Sequence, residues 1–466
     1  MDQNPTRTPN PRRRKKTKME IIKEAYLPTV FLGLTALLVI IFLVGGAIRR
    51  STPSVPETTP PPVTQNTENV ALQQEANALL NQAAALAADY DYAGAVDVLE
   101  SFSGDPMKYP ELITKRQEYR DALASLVTWS DPSQVTTLSF HMLIADGARA
   151  FANQSYGKAY NRNFVTIQEF SQILEQLYAN DYILVSLSDI AEVTTVDDRP
   201  QMQGKQLQLP AGKKPLLLTQ TNVNYNLYLV DSDGDLVPDK NGSGFASRLV
   251  VKPDGSVTCE MVDSTGATVQ GDFDLVPILD KFVSAHPDFS YRGAKATLAL
   301  TGYNGLFGYR TNASAEQALG AVAYQQAISD AKAVANALRK NGYQLACYTY
   351  DNAAYGERSL AQIQADLAEW TTEVEPILGK MDVLVYALNS DIGDRNAYTG
   401  EKYEYLHNYG FRLFLGFCED GSSWASVTDD YVRIGRILVG GSNISQNPDW
   451  FEGMFSANIL DPARNG

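Results

Sequence analysis

Between residues 135 and 439 the hydrophobic positions change their period repeatedly. Short unbroken apolar runs, the pattern of strands buried on both faces, alternate with stretches of helical spacing. The runs are Val135–Leu143, Tyr182–Leu187, Pro215–Thr219, Ala294–Leu300, Tyr343–Tyr350, Met381–Leu388, Phe411–Phe417 and Val432–Val439. The helical stretches are Ile167–Tyr178, Val276–Ala285, Glu316–Asn341 closed by Gly342, Ser359–Leu378 and Tyr403–Tyr409. Strand-then-helix alternation predicts an α/β domain with a mainly parallel sheet, here a barrel. In such domains the chemistry sits at the C-terminal ends of the strands. Leu249–Val262 and Thr268–Phe273, with Pro253-Asp254-Gly255 as a turn, predict a hairpin inserted near 248–273, within a domain spanning 131–466. Residues 204–214 read as a polar loop.

The preceding chain has a different pattern. Leu72, Ala76, Leu79, Leu80, Ala83 and Leu86 recur at helical spacing, and helices are predicted through residues 69–130. The run 85–102 faintly resembles one tetratricopeptide-type pair, but solenoid repeats need about three copies to be stable. A helical spacer, or a surface for a protein partner, is the plainer reading. Residues 49–68, with Pro53, Pro56, Pro60, Pro61 and Pro62 among Ser and Thr, read as an extended linker. Residues 25–48 hold no charge. Their 24 residues would reach about 36 Å as a helix, enough to cross a hydrocarbon core of about 30 Å. The basic cluster Arg12–Lys16 in residues 1–24 orients that span with its N-terminus in the cytoplasm. The expectation is a single-pass plasma-membrane protein with an extracytoplasmic body. A cleaved signal peptide would have a shorter apolar core and a better cleavage site.

Charge sharpens this division. The net charge is −15, yet residues 1–50 carry ten Lys/Arg against three acids, a net of +7 that leaves −22 for the rest. A body so acidic repels phosphate backbones, which excludes nucleic acid as its partner. Three dispersed cysteines, Cys259, Cys347 and Cys418, give no disulfide framework and no Cys-based zinc site. There are only three histidines: His141, His286 and His407.

Those strands and their ends resemble the polysaccharide deacetylase family over roughly Val135–Val439. The resemblance implies a distorted (β/α) barrel, preceded here by a transmembrane helix and a short all-α segment. The family's first motif, Thr-Phe-Asp-Asp-Gly, matches Leu218-Thr219-Gln220-Thr221-Asn222-Val223-Asn224-Tyr225. Thr221 then takes the position of the catalytic base and Asn222 that of a metal ligand. The second motif, His-Ser/Thr-x-x-His, matches Cys347-Tyr348-Thr349-Tyr350-Asp351-Asn352, which puts Tyr348 and Asn352 at the two histidine positions. The oxyanion-hole strand matches Tyr386-Ala387-Leu388-Asn389 without its Pro and Gly. The late Leu-x-His motif falls at Arg436-Ile437-Leu438-Val439-Gly440 without a histidine. A catalytic zinc needs about three imidazole or carboxylate ligands and a water activated by a base. Thr221, Asn222, Tyr348 and Asn352 supply neither, so bound zinc is not expected.

The resemblance therefore implies a pseudoenzyme of the cell envelope that binds cell-wall glycan or a protein. The alternative is an active metal-dependent deacetylase with migrated ligands. His141, at a strand end near Asp146 and Arg149, is the substitute ligand to consider, with Asp351 beside it; His286 and His407 read as packing residues. Tyr386, Tyr350 and Trp424 are candidate glycan contacts, with Tyr303, Tyr309, Tyr348 and Trp450 as further aromatic candidates. Separately, VDSDGDLVPDKNG at 230–242 places Asp231, Asp233, Asp235 and Asp239 as a calcium candidate, since Ca²⁺ takes six to eight oxygens. Leu236 and Gly242 depart from the EF-hand pattern, and a solvated acidic turn is the other reading.

Overall fold

The computed structural model describes residues 63–465, apart from Ser130, Asp198, residues 394–396 and Glu419. The basic tail, the apolar span at 25–48 and most of the linker lie outside the described residues. Among the described residues no helix is long and apolar enough to cross a membrane. The chain divides into two units, Met1–Glu68 and Asn69–Gly466, and the second contains the barrel.

Three helices come first: α1 (Val63–Ala88), α2 (Tyr92–Glu100) and α3 (Pro110–Ala124). Helix α1 begins inside the stretch that composition assigns to the linker. Asp91 starts α2, its carboxylate accepting from the Gly94 N–H. Ala76, Ala83, Ala95, Leu99 and Leu112 close a small core of their own, the alanines allowing close approach. The helical reading stops short of Trp129: Val127–Trp129 is a strand, paired antiparallel with Leu207–Leu209 inside the expected polar loop.

Seven parallel strands follow: β1 (Thr136–Phe140), β2 (Lys214–Thr221), β3 (Thr297–Leu300), β4 (Gln344–Cys347), β5 (Val383–Val385), β6 (Leu413–Phe417) and β7 (Val432–Leu438). Each pairs with the next in sequence, and β7 returns to β1 through Ile437↔Leu138 and Leu438↔Ser139, so the sheet closes on itself. Alternation along each strand sends one set of side chains inward, among them Leu217, Ala299, Ala346, Val385, Leu415 and Ile434. The other set meets the surrounding helices, including α4 (Ile167–Ala179), α5 (Leu275–Ala285) and α6 (Ala321–Lys340). Tyr182–Leu184 is not a member of the ring. It pairs with the start of β2, on the edge that β3 takes further up.

Several boundaries differ from the sequence reading. The helix expected over Glu316–Asn341 is interrupted at Gly320, whose φ of 78° ends one short helix and begins α6. The stretch Ser359–Leu378 passes through a wider π turn at Trp370–Val374, with the Trp370 ring fully buried. The insertion is a three-stranded antiparallel sheet of Arg248–Val251, Val257–Val262 and Thr268–Gly271, one strand more than a hairpin. A second hairpin, Ala191–Val196 with Arg199–Gly204, and an antiparallel strand Trp424–Val427 on β7 were not foreseen.

Two buried acids brace the barrel. Asp274, almost wholly buried, accepts from the N–H of Leu143 and Leu275, from Gln220 Nε2 at 2.6 Å and from the Tyr225 hydroxyl at 2.7 Å. It therefore ties the ends of β1 and β2 to α5. Asp274→Asn turns one acceptor into a donor and should cost about 1–3 kcal/mol, read from the urea midpoint. Burial raises the Asp274 pKa, against the hydrogen bonds that lower it. The folded chain thus holds this proton where the unfolded chain has lost it, so its contribution to stability falls as pH rises above about 3.8. The second acid, Glu169, belongs to the capping box of α4 and is fully buried. Its two oxygens accept from Nε and Nη2 of Arg464, from the Thr166 N–H and from the Asp461 N–H. Arg464 also donates to the carbonyls of Asn161 and Phe164. The last described residues are thereby strapped across the first barrel helices.

Candidate functional site

The C-terminal mouth of the barrel brings together the residues that sequence matching selected. Thr221 ends β2, His141 follows β1, Tyr348 follows β4, and Arg436 points inward from β7 with Val432 and Ile434. Thr221 Oγ1 lies 2.9 Å from His141 Nδ1 and 3.3 Å from the Phe140 carbonyl, the tautomer of the ring deciding which atom donates. Burial raises the Tyr348 phenol, while Arg436, the Leu388 amide and the Thr221 hydroxyl offset part of that rise. Burial pushes the His141 imidazole down to about 4, and the Arg436 charge adds to this. Near neutral pH, then, the mouth holds a neutral imidazole, a neutral phenol and one cation.

The remaining matched positions are occupied in their own way. The Asn222 carbonyl accepts from Asn226 Nδ2 at 3.0 Å. Asn352 Oδ1 is buried with no hydrogen-bond partner. The backbone here is unusual: Asn222 (φ 63°), Thr349 (φ 62°), Asn352 (φ 50°), Leu388 (φ 54°) and Asn389 (φ 56°) are all left-handed. Asparagine tolerates that region, but Thr349 and Leu388 do so only at roughly 1–3 kcal/mol each. These left-handed residues cluster at the ends of β2, β4 and β5.

The donor set does not fit a catalytic zinc. Of the side chains assembled at the mouth only His141 is an ordinary zinc ligand, and its Nδ1 is engaged by Thr221. Among the described residues no cluster of three His, Cys, Asp or Glu forms there. The Thr221–His141 contact has the form of a nucleophile and its base. Yet Thr221 is fully buried and its hydroxyl also meets the Phe140 carbonyl, so no substrate reaches it in this conformation. Asp351 is exposed on the surface, its N–H donating to Asp366.

A cleft of about 650 Å³ opens beside the mouth, lined by Glu357, Asn389, Asp391, Phe417, Trp424 and Arg433 among others. Trp424 is the candidate glycan contact that reaches it. Tyr386 is fully buried and stacks near Phe414. Tyr350 is 7% exposed and donates to Glu373 at 2.7 Å. Neither of these two rings offers a face to a ligand. Tyr309 lies under Arg248, and Trp450 packs over Gly421. His286 packs against Tyr178 and Phe282, and His407 against Tyr403, as packing residues do. Cys259, Cys347 and Cys418 are all buried.

In the acidic loop, Asp231, Asp233 and Asp239 bring one oxygen each within 4.8 Å, while Asp235 stands outside the group. The carboxylates are already used as turn formers. Asp231 accepts from the N–H of Asp233, Gly234 and Leu236, and Asp239 accepts from Ser232 and Asn241. These contacts hold the loop together without a cation.

Fold and site together define a closed seven-stranded (β/α) barrel whose mouth is a hydrogen-bonded polar plug around one arginine. No family model and no curated protein matches the chain. Among solved structures it is similar to the Streptococcus pyogenes deacetylase PplD in complex with acetate, at 12% identity and a TM-score of 0.37, over 71% of this chain and 99% of that one.

Proposed function

We propose that this protein is a catalytically silent barrel of the polysaccharide deacetylase type, anchored by residues 25–48 and displayed outside the membrane, where it binds cell-envelope glycan. The observation that carries the reading is the composition of the mouth. The positions matched to base and ligands hold Thr221, Asn222, Tyr348 and Asn352, and the Arg436 guanidinium stands among them. A fixed cation there repels a divalent metal, and the His141 imidazole, pushed down to about 4, is a weak base for activating water. The neighbouring cleft, with Trp424 and Phe417 beside carboxylates and amides, offers what sugars bind: a ring to stack on and polar atoms at its edge.

The test combines elemental mass spectrometry of the purified full chain with deacetylation of an acetylated chito-oligomer. Substoichiometric zinc, cobalt and nickel, with no turnover after zinc is added, is the expected result. Stoichiometric metal with turnover that is lost in His141→Gln would establish the opposite reading, a deacetylase with relocated ligands.

A further inference from the structure

The buried arginines of the barrel differ in what balances them. Arg464 has Glu169, and Arg433 has Asp391 at 2.9 Å. Arg310 donates to the Asn304 and Tyr225 carbonyls and feels the charge of Asp231. Arg436 has no such balance among the described residues. It is fully buried, and its neighbours are the Gly416 carbonyl at 3.1 Å, Ser139 Oγ at 2.8 Å and the Tyr386 carbonyl at 3.5 Å. Tyr348, His141 and Cys418 also lie close enough to act on it. No carboxylate among the described residues pairs with it. Burial lowers its pKa only to about 10, so the charge persists at neutral pH.

A guanidinium has five N–H donors, and these three contacts occupy three of them. Burying a charge without a counter-charge is costly, and folds keep such a group where a ligand completes it. A single ring separates it from a cleft. The Phe417 ring lies 4.3 Å from the Arg436 guanidinium carbon on one side and lines the 650 Å³ cleft on the other. Phe417 is only partly buried, and the exposed Asn389 lines the same cleft.

We infer that Arg436 is the receptor for a carboxylate, reached from this cleft past Phe417, and that the ligand is an acidic sugar of the uronic acid class. The guanidinium fork matches a carboxylate in two parallel hydrogen bonds. Glu357, Asp391 and Asp420 at the rim disfavour a dianionic phosphate more than a singly charged carboxylate. The Trp424 and Phe417 rings supply the apolar face on which a pyranose lies. The inference deepens the proposed glycan-binding role and rests on the mouth being free of metal.

Ligand-detected NMR titration of the full chain tests it, with glucuronate, glucose and inorganic phosphate as probes. Glucuronate should bind saturably and at least tenfold more tightly than either of the others. Arg436→Met should abolish the preference. If that variant does not fold, Phe417→Trp, which fills the entrance while leaving Arg436 in the chain, should weaken glucuronate at least tenfold. Equal affinity for glucuronate and glucose, phosphate as tight as glucuronate, or full binding in a folded Arg436→Met variant would each overturn the assignment. Metal analysis of the same preparation keeps the two claims apart. Stoichiometric zinc defeats the metal-free mouth, whereas a metal-free sample that ignores glucuronate defeats the receptor alone.

Discussion

Replacing Glu169 with alanine is expected to destabilise the barrel by about 3–5 kcal/mol, the largest single effect predicted for a position outside the mouth. The reason lies in what remains. Arg464 would keep its contacts to the Asn161 and Phe164 carbonyls but lose the only carboxylate paired with it among the described residues, at a site where its side chain is 6% exposed. The Thr166 and Asp461 N–H groups would lose their acceptor as well. Removing both charges in Glu169→Ala/Arg464→Met should cost less than removing Glu169 alone, because no orphaned charge is left behind. Urea unfolding of Glu169→Ala, Arg464→Met and the double variant would measure this. A double variant as unstable as the sum of its parts would show that packing, not charge pairing, holds the strap.

The second large effect is a dependence on pH. His141 sits in the folded mouth with its pKa pushed down to about 4, against 6.5 in the unfolded chain. Between those values the unfolded chain binds a proton that the folded chain refuses. Stability contributed by the neutral ring is therefore complete above about 6.5 and is lost as pH falls towards 4, by about 3 kcal/mol in all. Asp274 acts in the opposite sense over part of this range, so the informative quantity is wild type minus His141→Gln. Glutamine keeps a polar contact for Thr221 and does not titrate. The difference in unfolding free energy should shrink steadily in the wild type's disfavour from pH 7 to pH 4.5. A flat difference would mean that the imidazole takes up its proton in the folded state, and hence that water enters the mouth.

Much of the barrel was legible because parallel strands buried on both faces leave near-continuous apolar runs. Pro215–Thr219 and Phe411–Phe417 were located within a few residues in this way. The positions Thr221, Asn222, Tyr348 and Asn352 were legible because they follow such runs directly. What stayed hidden depends on geometry that no local window contains. Gly320 inside an apolar periodic stretch reads as a tolerated glycine, until its positive φ separates two helices. Trp424–Val427 is short and polar enough to pass for loop, and it is a strand only because β7 offers it an edge. Arg436 is the instructive omission. Period-two counting from Val432 and Ile434 places it on the inward face, so the signal was present, but a charged residue in a strand is ordinarily assigned outward. The Glu169–Arg464 pair joins residues 295 positions apart. Only the Thr166–Glu169 capping box, legible as a helix start, hinted that the acid was held in place.

The seam between β7 and β1 has a bearing on how the protein is made. Every other junction of the ring joins neighbours in the chain, so β1 to β6 can assemble in the order in which they emerge from the ribosome. Until β7 follows, that growing sheet has two exposed parallel edges, the kind of surface that recruits other chains. Completion waits for the seam and the strap, since Ile437 must find Leu138 and Arg464 must find Glu169. A chain cut between Leu438 and Arg464 would close the ring and still lack its strap. Such a product should keep its barrel but open more readily, and so be cleaved faster by proteases than the chain that keeps Arg464.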